Sequence, residues 1–338
     1  MSERPQGRES ERGQSGPAEG QERGATSHAR PFRFGVQLSR ADTGAEWAEL
    51  ARKAEDIGYS TLFVPDHFGD QLSPVVALTA AADATTELRV GPLVLDNDYR
   101  HPVVAAKEMA SIDRLSGGRL ELGLGAGWMA SDYEQSGIAM DAASVRLDRL
   151  AEALDVLDGL FGPGPFSYQG KHYQLNGLEG LPKPIQQPRP PLLIGGGGRR
   201  VLTLAAERAD IVGVNPSIRS GRADRAAAQD GAAATTDRKL QWVRDAAGER
   251  YDDIEINMLI FACVVTDDPA SVVEAMAPLF GVAAEDVGDH PHAWIGSVDQ
   301  ICDDLAARRE RWGVSYLVVQ GSEAMDAAAP IVSRLTGA

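Results

Sequence analysis

The sequence predicts an α/β fold of the (β/α)8 TIM-barrel class with insertions, formed as a single domain by residues 31–338. From residue 33 onward, short apolar runs alternate with amphipathic helical patterns, which is typical of βα units around a parallel sheet. Eight such runs occur within about 300 residues, which is the number and length expected of a barrel that carries insertions. An open, doubly wound sheet of eight strands is the alternative.

The first half of the pattern contains four strand–helix repeats. Thr43 and Glu46 form a capping box at the start of the first helix, and Gly58 is its C-terminal stop. Pro74 and Pro102 stand at the first position of the next two helices. The predicted strands are 33–39, 60–66, 88–96 and 119–128, and the predicted helices are 43–58, 73–86, 102–115 and 142–161.

The second half begins with an interruption at about 163–190, where Pro and Gly leave only two short aromatic-rich strands around Gly170. This insertion is predicted to be a hairpin followed by a loop. A polar stretch covers 216–237, and Ser297 with Gln300 forms another capping box. The remaining predicted strands are 191–198, 210–215, 254–265 and 315–321, and the helices are 199–209, 238–250, 269–280, 297–313 and 325–337.

Composition argues against several classes of function. No segment approaches the eighteen or so apolar residues of a membrane span. Residues 1–30 are polar and lack a secretory apolar segment, so we expect a disordered tail on a cytoplasmic protein. Because five Glu and five Arg cancel in that tail, the net charge of −16 belongs to the remainder, and an acidic body repels nucleic acid and anionic membranes.

The cysteines and most histidines show no ligand pattern. Cys263 and Cys302 lie among apolar neighbours and are predicted to be reduced, buried thiols. His290 and His292 have no clustered partners, so no metal site is predicted. A Ser/His/Asp nucleophile order and a P-loop are also not evident.

Polar residues and glycines follow most of the predicted strands, at the carboxyl ends where the chemistry of a barrel gathers. Histidine changes its charge near neutral pH, so His67 is a candidate acid or base, and Asp66 could orient it. Neighbouring side chains of an extended segment point to opposite sides, however, and a turn cap is the structural alternative for His67. The candidates are Gln37, Asp66, His67, Asp96, Asn97, Asp98, Gly125, Gly127, Trp128, Gly195 to Gly198 and Asn215.

Two glycine-rich turns indicate ligand contacts. Gly195 to Gly198 stand between an apolar strand and a helix, where unpaired N–H groups suit a phosphate, and Arg199 and Arg200 add positive charge. A tight or flexible turn is the alternative. The sequence GLGAGW lacks the third glycine of a dinucleotide fingerprint, but its Gly125 and Gly127 would allow the backbone to approach a flat ring.

Six segments together resemble the bacterial luciferase-like monooxygenase superfamily. They are FGVQL, FVPDHF, LDNDYRHP, ASIDRLSGGRLELGLGAGW, PLLIGGGG and IGSVDQICDDLAARRERWGVSYLVV, and the resemblance runs from residue 32 to residue 337. The LVLDNDYRHP and DRLSGGR contexts are similar to the branch that uses the deazaflavin coenzyme F420. The resemblance implies a homodimeric luciferase-like TIM barrel with a cofactor ring across its carboxyl face.

The resemblance also implies roles for individual residues. Asp66 and His67 would lie beside the reactive ring, with His67 transferring a proton or polarising the substrate. A strand-three segment would pass behind the ring, where relatives often carry a bulge with a cis peptide, and a loop would run along the ring edge. These cofactor-binding residues would be Asp66, His67, Pro92, Leu93, Val94, Gly125, Ala126, Gly127 and Trp128, with Gly195, Gly196, Gly197 and Gly198 at the phosphate.

Trp128 departs from the sugar-phosphate dehydrogenases of the family, which carry Glu there and bind phosphate with lysines that have no counterpart here. An apolar or aromatic substrate is therefore favoured. The implied function is hydride transfer between C5 of F420 and a small organic substrate, and a monooxygenase that uses reduced FMN is the alternative. A barrel aldolase or isomerase acting on sugar phosphates is a third candidate, and a cofactor-holding protein without turnover is a fourth.

Overall fold

The computed structural model describes residues 30–338, so the tail predicted for residues 1–30 lies outside the described residues except for Arg30. The strands are β1 (Arg33–Gln37), β2 (Thr61–Val64), β3 (Arg89–Pro92), β4 (Leu95–Asp96), β5 (Leu122–Gly125), β6 (Phe166–Gln169), β7 (Gln174–Leu178), β8 (Leu192–Gly196), β9 (Ile211–Val214), β10 (Glu255–Ile260), β11 (Ala262–Val265), β12 (Ala293–Gly296) and β13 (Val314–Gln320).

Helices separate most of these strands. They are α1 (Gly44–Ile57), α2 (Pro74–Ala84), α3 (Pro102–Leu115), α4 (Ala130–Ser136), α5 (Ala143–Phe161), α6 (Arg199–Arg208), α7 (Arg225–Asp230), α8 (Ala233–Ala247), α9 (Pro269–Phe280), α10 (Ala284–Val287), α11 (Val298–Trp312) and α12 (Ser322–Leu335). A 3-10 helix, Gly248–Asp253, follows α8.

The barrel is a parallel sheet in the order β3-β2-β1-β13-β10-β9-β8-β5-β4. β3 and β4 are two pieces of the one predicted strand 88–96, and they occupy the two ends of this order, so the sheet closes on itself. A bridge between Val90 and Leu120 joins β3 to the segment before β5. The predicted TIM-type barrel is therefore confirmed, and the alternative of an open sheet is wrong.

Close backbone approach explains the glycines in the two strands at this closure. A Cβ added at Gly91 would overlap the carbonyl of Glu121, and one at Gly123 would overlap the carbonyl of Pro92. Side chains at these positions would push the third and fourth barrel strands apart. Glycine is therefore needed here for packing of strand against strand.

The sequence predicted most elements correctly and missed several short ones. The segment 254–265 was predicted as one strand, but β10 stays in the barrel while β11 leaves it to pair with β12. The polar stretch 216–237 contains α7 and the start of α8. The helices α4 and α10 and the strand β12 were not predicted. The hairpin expected around Gly170 is present as the antiparallel pair β6–β7.

The predicted capping boxes differ in outcome. Ser297 and Gln300 form both bonds of the box at the start of α11. At α1, Thr43 accepts from the Glu46 N–H at 3.1 Å, but the Glu46 carboxylate accepts from the N–H of Asp42 and not from that of Thr43. The first helix therefore has its N-cap without the reciprocal bond.

A polar network fills the amino-terminal end of the barrel. Glu121 is buried and accepts from Arg33 at 2.6 Å, from Arg89 at 2.9 Å and from the Tyr316 hydroxyl at 3.0 Å. Arg33 also binds Glu255 at 2.6 Å, and its guanidinium lies 3.5 Å from the centre of the Tyr316 ring. Each of these charges has a partner, as buried ions require.

An apolar cluster fills the barrel above that network. Its buried members are Phe63, Leu93, Leu193, Ile211, Tyr316 and Val318. Val94 and Leu259 pack on top of the cluster and are only partly buried. They therefore form an apolar floor at the carboxyl end.

The first and last described segments meet at the other end of the molecule. The Phe32 N–H donates to the Ala338 carbonyl at 3.1 Å, and the Gly337 N–H donates to the Phe32 carbonyl at 3.0 Å. These bonds lie beside the start of β1, at the amino-terminal end of the barrel.

Candidate active site

His67 follows β2 on the carboxyl rim of the barrel. Its Nδ1 lies 2.7 Å from Oδ2 of Asp132, a buried residue of α4. The same carboxylate oxygen accepts from the Tyr99 hydroxyl at 3.3 Å. Because Asp132 engages Nδ1, the imidazole is held in one orientation and its Nε2 is left for a ligand.

Sequence reasoning missed Asp132 and its neighbour Tyr133. They belong to α4, a seven-residue helix that is too short to show an amphipathic period. Gly137, which ends α4 with φ +76°, is a C-terminal stop that could have revealed this helix.

Aromatic side chains lie near the imidazole. The ring of Trp128 is nearly perpendicular to that of His67, with 5.5 Å between the centroids. Phe68 is half exposed and packs on Tyr99 at 4.5 Å. The wall of this part of the mouth is therefore aromatic and uncharged apart from the His67–Asp132 pair.

Asp66 has partners different from those of His67. Its buried carboxylate accepts from the N–H of Asp96 at 3.0 Å and from the guanidinium of Arg100. These contacts tie the end of β2 to the segment that follows β4. The catalytic role expected of Asp66 stays a prediction, and its observed contacts stabilise the rim.

An acidic cluster lies beneath the loop that follows β5. Tyr133 donates to Asp96 at 3.1 Å and to Asp98 at 3.0 Å, and Arg149 binds Asp98 at 2.6 Å. Burial, with the charge of Asp98 adding to it, raises the pKa of Asp96 to about 6. A Cβ at Gly127, which has φ +74°, would overlap the Tyr133 hydroxyl. Contacts within the protein are therefore enough to require glycine at this position, without any contact to a ligand.

The strand-three segment passes under the mouth. The peptide between Leu93 and Val94 is cis, and the Gln37 amide donates to the Leu93 carbonyl at 2.8 Å. A Cβ at Gly125 would lie 2.6 Å from a methyl group of Val94. The segment Pro92–Leu93–Val94 therefore packs directly against Gly125, and Val94 forms part of the floor of the mouth.

The four-glycine turn after β8 lies on the same rim as His67, because all barrel strands are parallel. A Cβ at Gly196 would lie 2.5 Å from Val201, and one at Gly197 would overlap the backbone of Asn215, whereas Gly195 and Gly198 are sterically unconstrained. Among residues 30–338, no acceptor takes the N–H of Gly197 or Gly198. A Cβ at Gly198 would meet nothing within 4 Å. This turn therefore fits a phosphate, which would accept from the two N–H groups.

A loop that comprises residues 216–224, called the mouth loop below, crosses the rim. At one end it contacts the four-glycine turn, and at the other the Gly221 carbonyl accepts from the Ala130 N–H at 3.0 Å, next to Trp128. Buried Lys239 supports the chain on both sides of the loop by donating to the carbonyls of Asn215 and Asp230, each at 2.8 Å. The mouth loop therefore connects the two glycine-rich turns that the sequence singled out.

The described chain offers little for metal or thiol chemistry. Residues 30–338 contain no group of three or more His, Cys, Asp or Glu side chains that could hold a metal ion. Burial lowers the pKa of His290 to about 4 and that of His292 to about 3. Cys302 is buried, Cys263 is partly buried, and neither forms a disulfide.

None of the helices in the described range has the length and hydrophobicity to span a membrane.

Comparison with known proteins assigns the family. The model of the luciferase-like monooxygenase family matches residues 25–314. The chain belongs to the luciferase-like monooxygenase family. The resemblance inferred from the six sequence segments is therefore confirmed.

Two of the relatives bear names that state different activities. The chain is 29% identical over 200 residues to 5,10-methylenetetrahydromethanopterin reductase of Methanopyrus kandleri, covering 54% of this chain and 55% of that protein. It is 28% identical over 187 residues to FMNH(2)-dependent dimethylsulfone monooxygenase of Pseudomonas putida, covering 52% and 51%. The chain thus spans about half the length of these curated relatives. These two relatives are a reductase and a monooxygenase, which supports an enzyme.

A solved structure shows the same fold over nearly the whole chain. The coenzyme F420 dependent tetrahydromethanopterin reductase of Methanopyrus kandleri superposes with a TM-score of 0.71 and 20% sequence identity. The superposition covers 90% of this chain and 98% of that one. The family's barrel architecture therefore extends well beyond the part aligned by sequence.

Proposed function

We propose that this family member is an F420-dependent oxidoreductase that transfers a hydride between C5 of the deazaflavin and a small organic substrate. The observation that carries the proposal is the His67–Asp132 pair, at 2.7 Å, on the same rim as the four-glycine turn. A proton-transfer group and a phosphate cradle at one barrel mouth are the protein parts that a phosphate-bearing redox coenzyme needs. The coenzyme F420 dependent reductase whose structure is compared above supports the choice of F420.

The cofactor site combines three surfaces described above. Gly197 and Gly198 would donate their unused N–H groups to the phosphate, with Gly195 and Gly196 leading the backbone there. Val94 would support the ring from below. The loop Gly125–Ala126–Gly127–Trp128 would border the ring, and His67 would face its reactive side.

The mechanism assigns proton handling to the protein. A bound deazaflavin supplies a two-electron hydride acceptor or donor at C5. When a substrate hydroxyl is oxidised, Nε2 of His67 takes the hydroxyl proton, and the carboxylate of Asp132 stabilises the resulting imidazolium through Nδ1–H. In the reverse direction, the same imidazolium returns the proton to the substrate oxygen. Trp128 and Phe68 exclude water and favour an apolar or aromatic substrate.

A monooxygenase that uses reduced FMN is the second candidate. The relative from Pseudomonas putida bears such a name, and two free N–H groups at Gly197 and Gly198 would suit an FMN phosphate equally well. The wall formed by Trp128 and Phe68 would exclude water in this case also.

Titration of the purified apoprotein with F420 and with FMN tests the proposal. We expect a 1:1 complex with F420 at micromolar concentration or below, read by the fluorescence of the deazaflavin, and much weaker binding of FMN. Tight binding of FMN without binding of F420 would establish the second candidate and overturn the first.

A cytoplasmic location belongs to the same proposal, because Cys263 and Cys302 form no disulfide.

We also propose that the protein is a homodimer. An apolar groove of about 450 Å³ runs between α2 and α3. Beside it the side chains of Val76, Val104 and Leu115 are 68%, 48% and 75% exposed. Exposed apolar surface of this kind on neighbouring helices marks an interface, and a second copy of the chain could cover it by a two-fold contact.

Sedimentation of the protein and two variants would measure this association. The wild type is expected to be a dimer at micromolar concentration, and Val104→Glu a monomer, because each copy would bury an unpaired charge. Leu279→Glu is the matched control, since Leu279 is 70% exposed on α9 and lies away from the groove. A monomeric wild type would refute the proposal.

A further inference from the structure

Five arginines stand out because their side chains have no partner in the described chain. The other arginines of residues 30–338 form at least one ion pair, hydrogen bond or contact with an aromatic ring. The five are Arg52, Arg199, Arg219, Arg222 and Arg225. Four of these lie within 199–225, so the unpaired guanidinium groups are concentrated in one region of a chain whose net charge is −16.

Nearby carboxylates are occupied by other groups. Asp224 accepts from the Ser220 hydroxyl at 2.7 Å and caps α7 through the N–H of Ala227 at 2.9 Å. Asp230 accepts from the Ser217 N–H at 2.7 Å and pairs with Lys239 at 2.5 Å. Neither carboxylate is paired with an arginine, although both lie close to the arginines in sequence. The four positive charges are therefore available to an external anion.

The backbone places these arginines around the candidate cofactor site. Arg199 is the first residue of α6 and directly follows the four-glycine turn. Arg219 and Arg222 belong to the mouth loop, and Arg225 is the first residue of α7. Gly221, with φ +72°, brings this loop close to the backbone of Trp128. A Cβ at Gly221 would lie 3.1 Å from the Trp128 carbonyl oxygen. The positive charge therefore continues from the expected phosphate position along the rim.

We propose that Arg199, Arg219, Arg222 and Arg225 bind the chain of carboxylates that F420 carries beyond its phosphate. This inference rests on the proposed function and deepens it. The tail of F420 is an oligoglutamate with several carboxylates, whereas FMN ends at its phosphate. Arginine pairs well with carboxylate. Because the protein as a whole is acidic, these four unpaired arginines would attract the carboxylates of the tail to this part of the rim.

The expected contribution to affinity is moderate, because the four arginines are exposed to solvent. An exposed ion pair strengthens an interaction by a factor of about 1.4 to 5. Four such pairs should together strengthen binding of the tailed coenzyme on the order of 10- to 100-fold at low salt. Screening by salt should remove most of this gain.

Fluorescence titration with two forms of the coenzyme tests the inference: F420 with several glutamates, and the same deazaflavin phosphate without glutamates. The wild type is expected to bind the tailed form about 10- to 100-fold more tightly. The variant Arg219→Gln/Arg222→Gln/Arg225→Gln should lose most of this difference while keeping its affinity for the tailless form. Arg52→Gln, which removes an unpaired arginine from α1, is the matched control and should bind both forms like the wild type.

Three results would overturn the inference. Equal affinity of the wild type for the two forms would show that the tail is not bound, while leaving the proposed function intact. An equal loss for both forms in the triple variant would place the arginines at the ring or phosphate. Failure of the wild type to bind either form would refute the proposed function together with the inference. Unchanged far-UV circular dichroism and Tm would confirm that the triple variant is folded.

Discussion

Replacing His67 by Ala is expected to lower kcat/KM for F420-dependent turnover by about 10²- to 10⁴-fold, which is the usual contribution of a positioned acid or base. The imidazole lies on the aromatic part of the rim, with Asp132 at 2.7 Å from its Nδ1 and with Nε2 left for the substrate. The dissociation constant of the coenzyme should stay close to that of the wild type, because the phosphate contacts belong to a different turn. Steady-state kinetics and coenzyme titration of the same preparation measure the two effects.

Two further variants define the role of the pair. Asp132→Asn should lower kcat more than it raises KM and should change the pH profile of kcat, since an amide cannot stabilise an imidazolium as a carboxylate does. His101→Ala is the matched control, because His101 caps α3 and contacts Tyr173, outside the site. A His67→Ala enzyme with the wild-type rate and affinity would contradict the mechanism and favour a cofactor-holding protein.

Replacing Glu121 by Leu is expected to lower the free energy of unfolding by about 3–5 kcal/mol, the usual effect of removing one partner from a buried ionic group. Glu121 is 1% exposed and receives bonds from Arg33, Arg89 and Tyr316. Without it, Arg89 would lose its only ion pair, and Arg33 would keep Glu255 alone. Urea denaturation followed by circular dichroism measures the change.

Other substitutions in the same network separate charge from packing. Glu255→Gln should cost less, because Glu255 pairs with Arg33 alone and lies nearer to solvent. The double variant Arg89→Leu/Glu121→Leu should regain part of the stability lost by Glu121→Leu, since Arg33 stays paired with Glu255 and Arg89 no longer leaves a charge without a partner. A Glu121→Leu protein as stable as the wild type would show that the network contributes nothing to the fold.

The barrel could be predicted because its signals are local. Strands and long helices each impose a period on the sequence, and residues such as Pro74, Pro102 and Gly58 mark where helices begin or end. The rim positions of His67 and the four-glycine turn followed from topology alone, since parallel strands bring all their carboxyl ends to one side.

The partner of His67 could not be predicted in this way. Asp132 lies 65 positions further along the chain, and the helix that carries it has only seven residues. Asp66, which is adjacent to His67 in sequence, is bound instead to Arg100 and to the backbone of Asp96. Which of two carboxylates orients an imidazole depends on tertiary packing, and tertiary packing leaves no period in a sequence.

The single strand expected over 254–265 shows a second limit of local patterns. This apolar run is nearly continuous, but the chain leaves the barrel at Phe261, whose N–H donates to the carbonyl of His292. Hydrophobicity shows that both parts are apolar and does not show that they belong to two different sheets.

The bonds that join Phe32 to Gly337 and Ala338 make the described chain almost a closed loop. Because the first and last described segments touch on the side away from the candidate site, joining them and opening the chain in another surface loop is expected to preserve the barrel. The fold depends on the order of the eight units around the barrel, which such a rearrangement would keep.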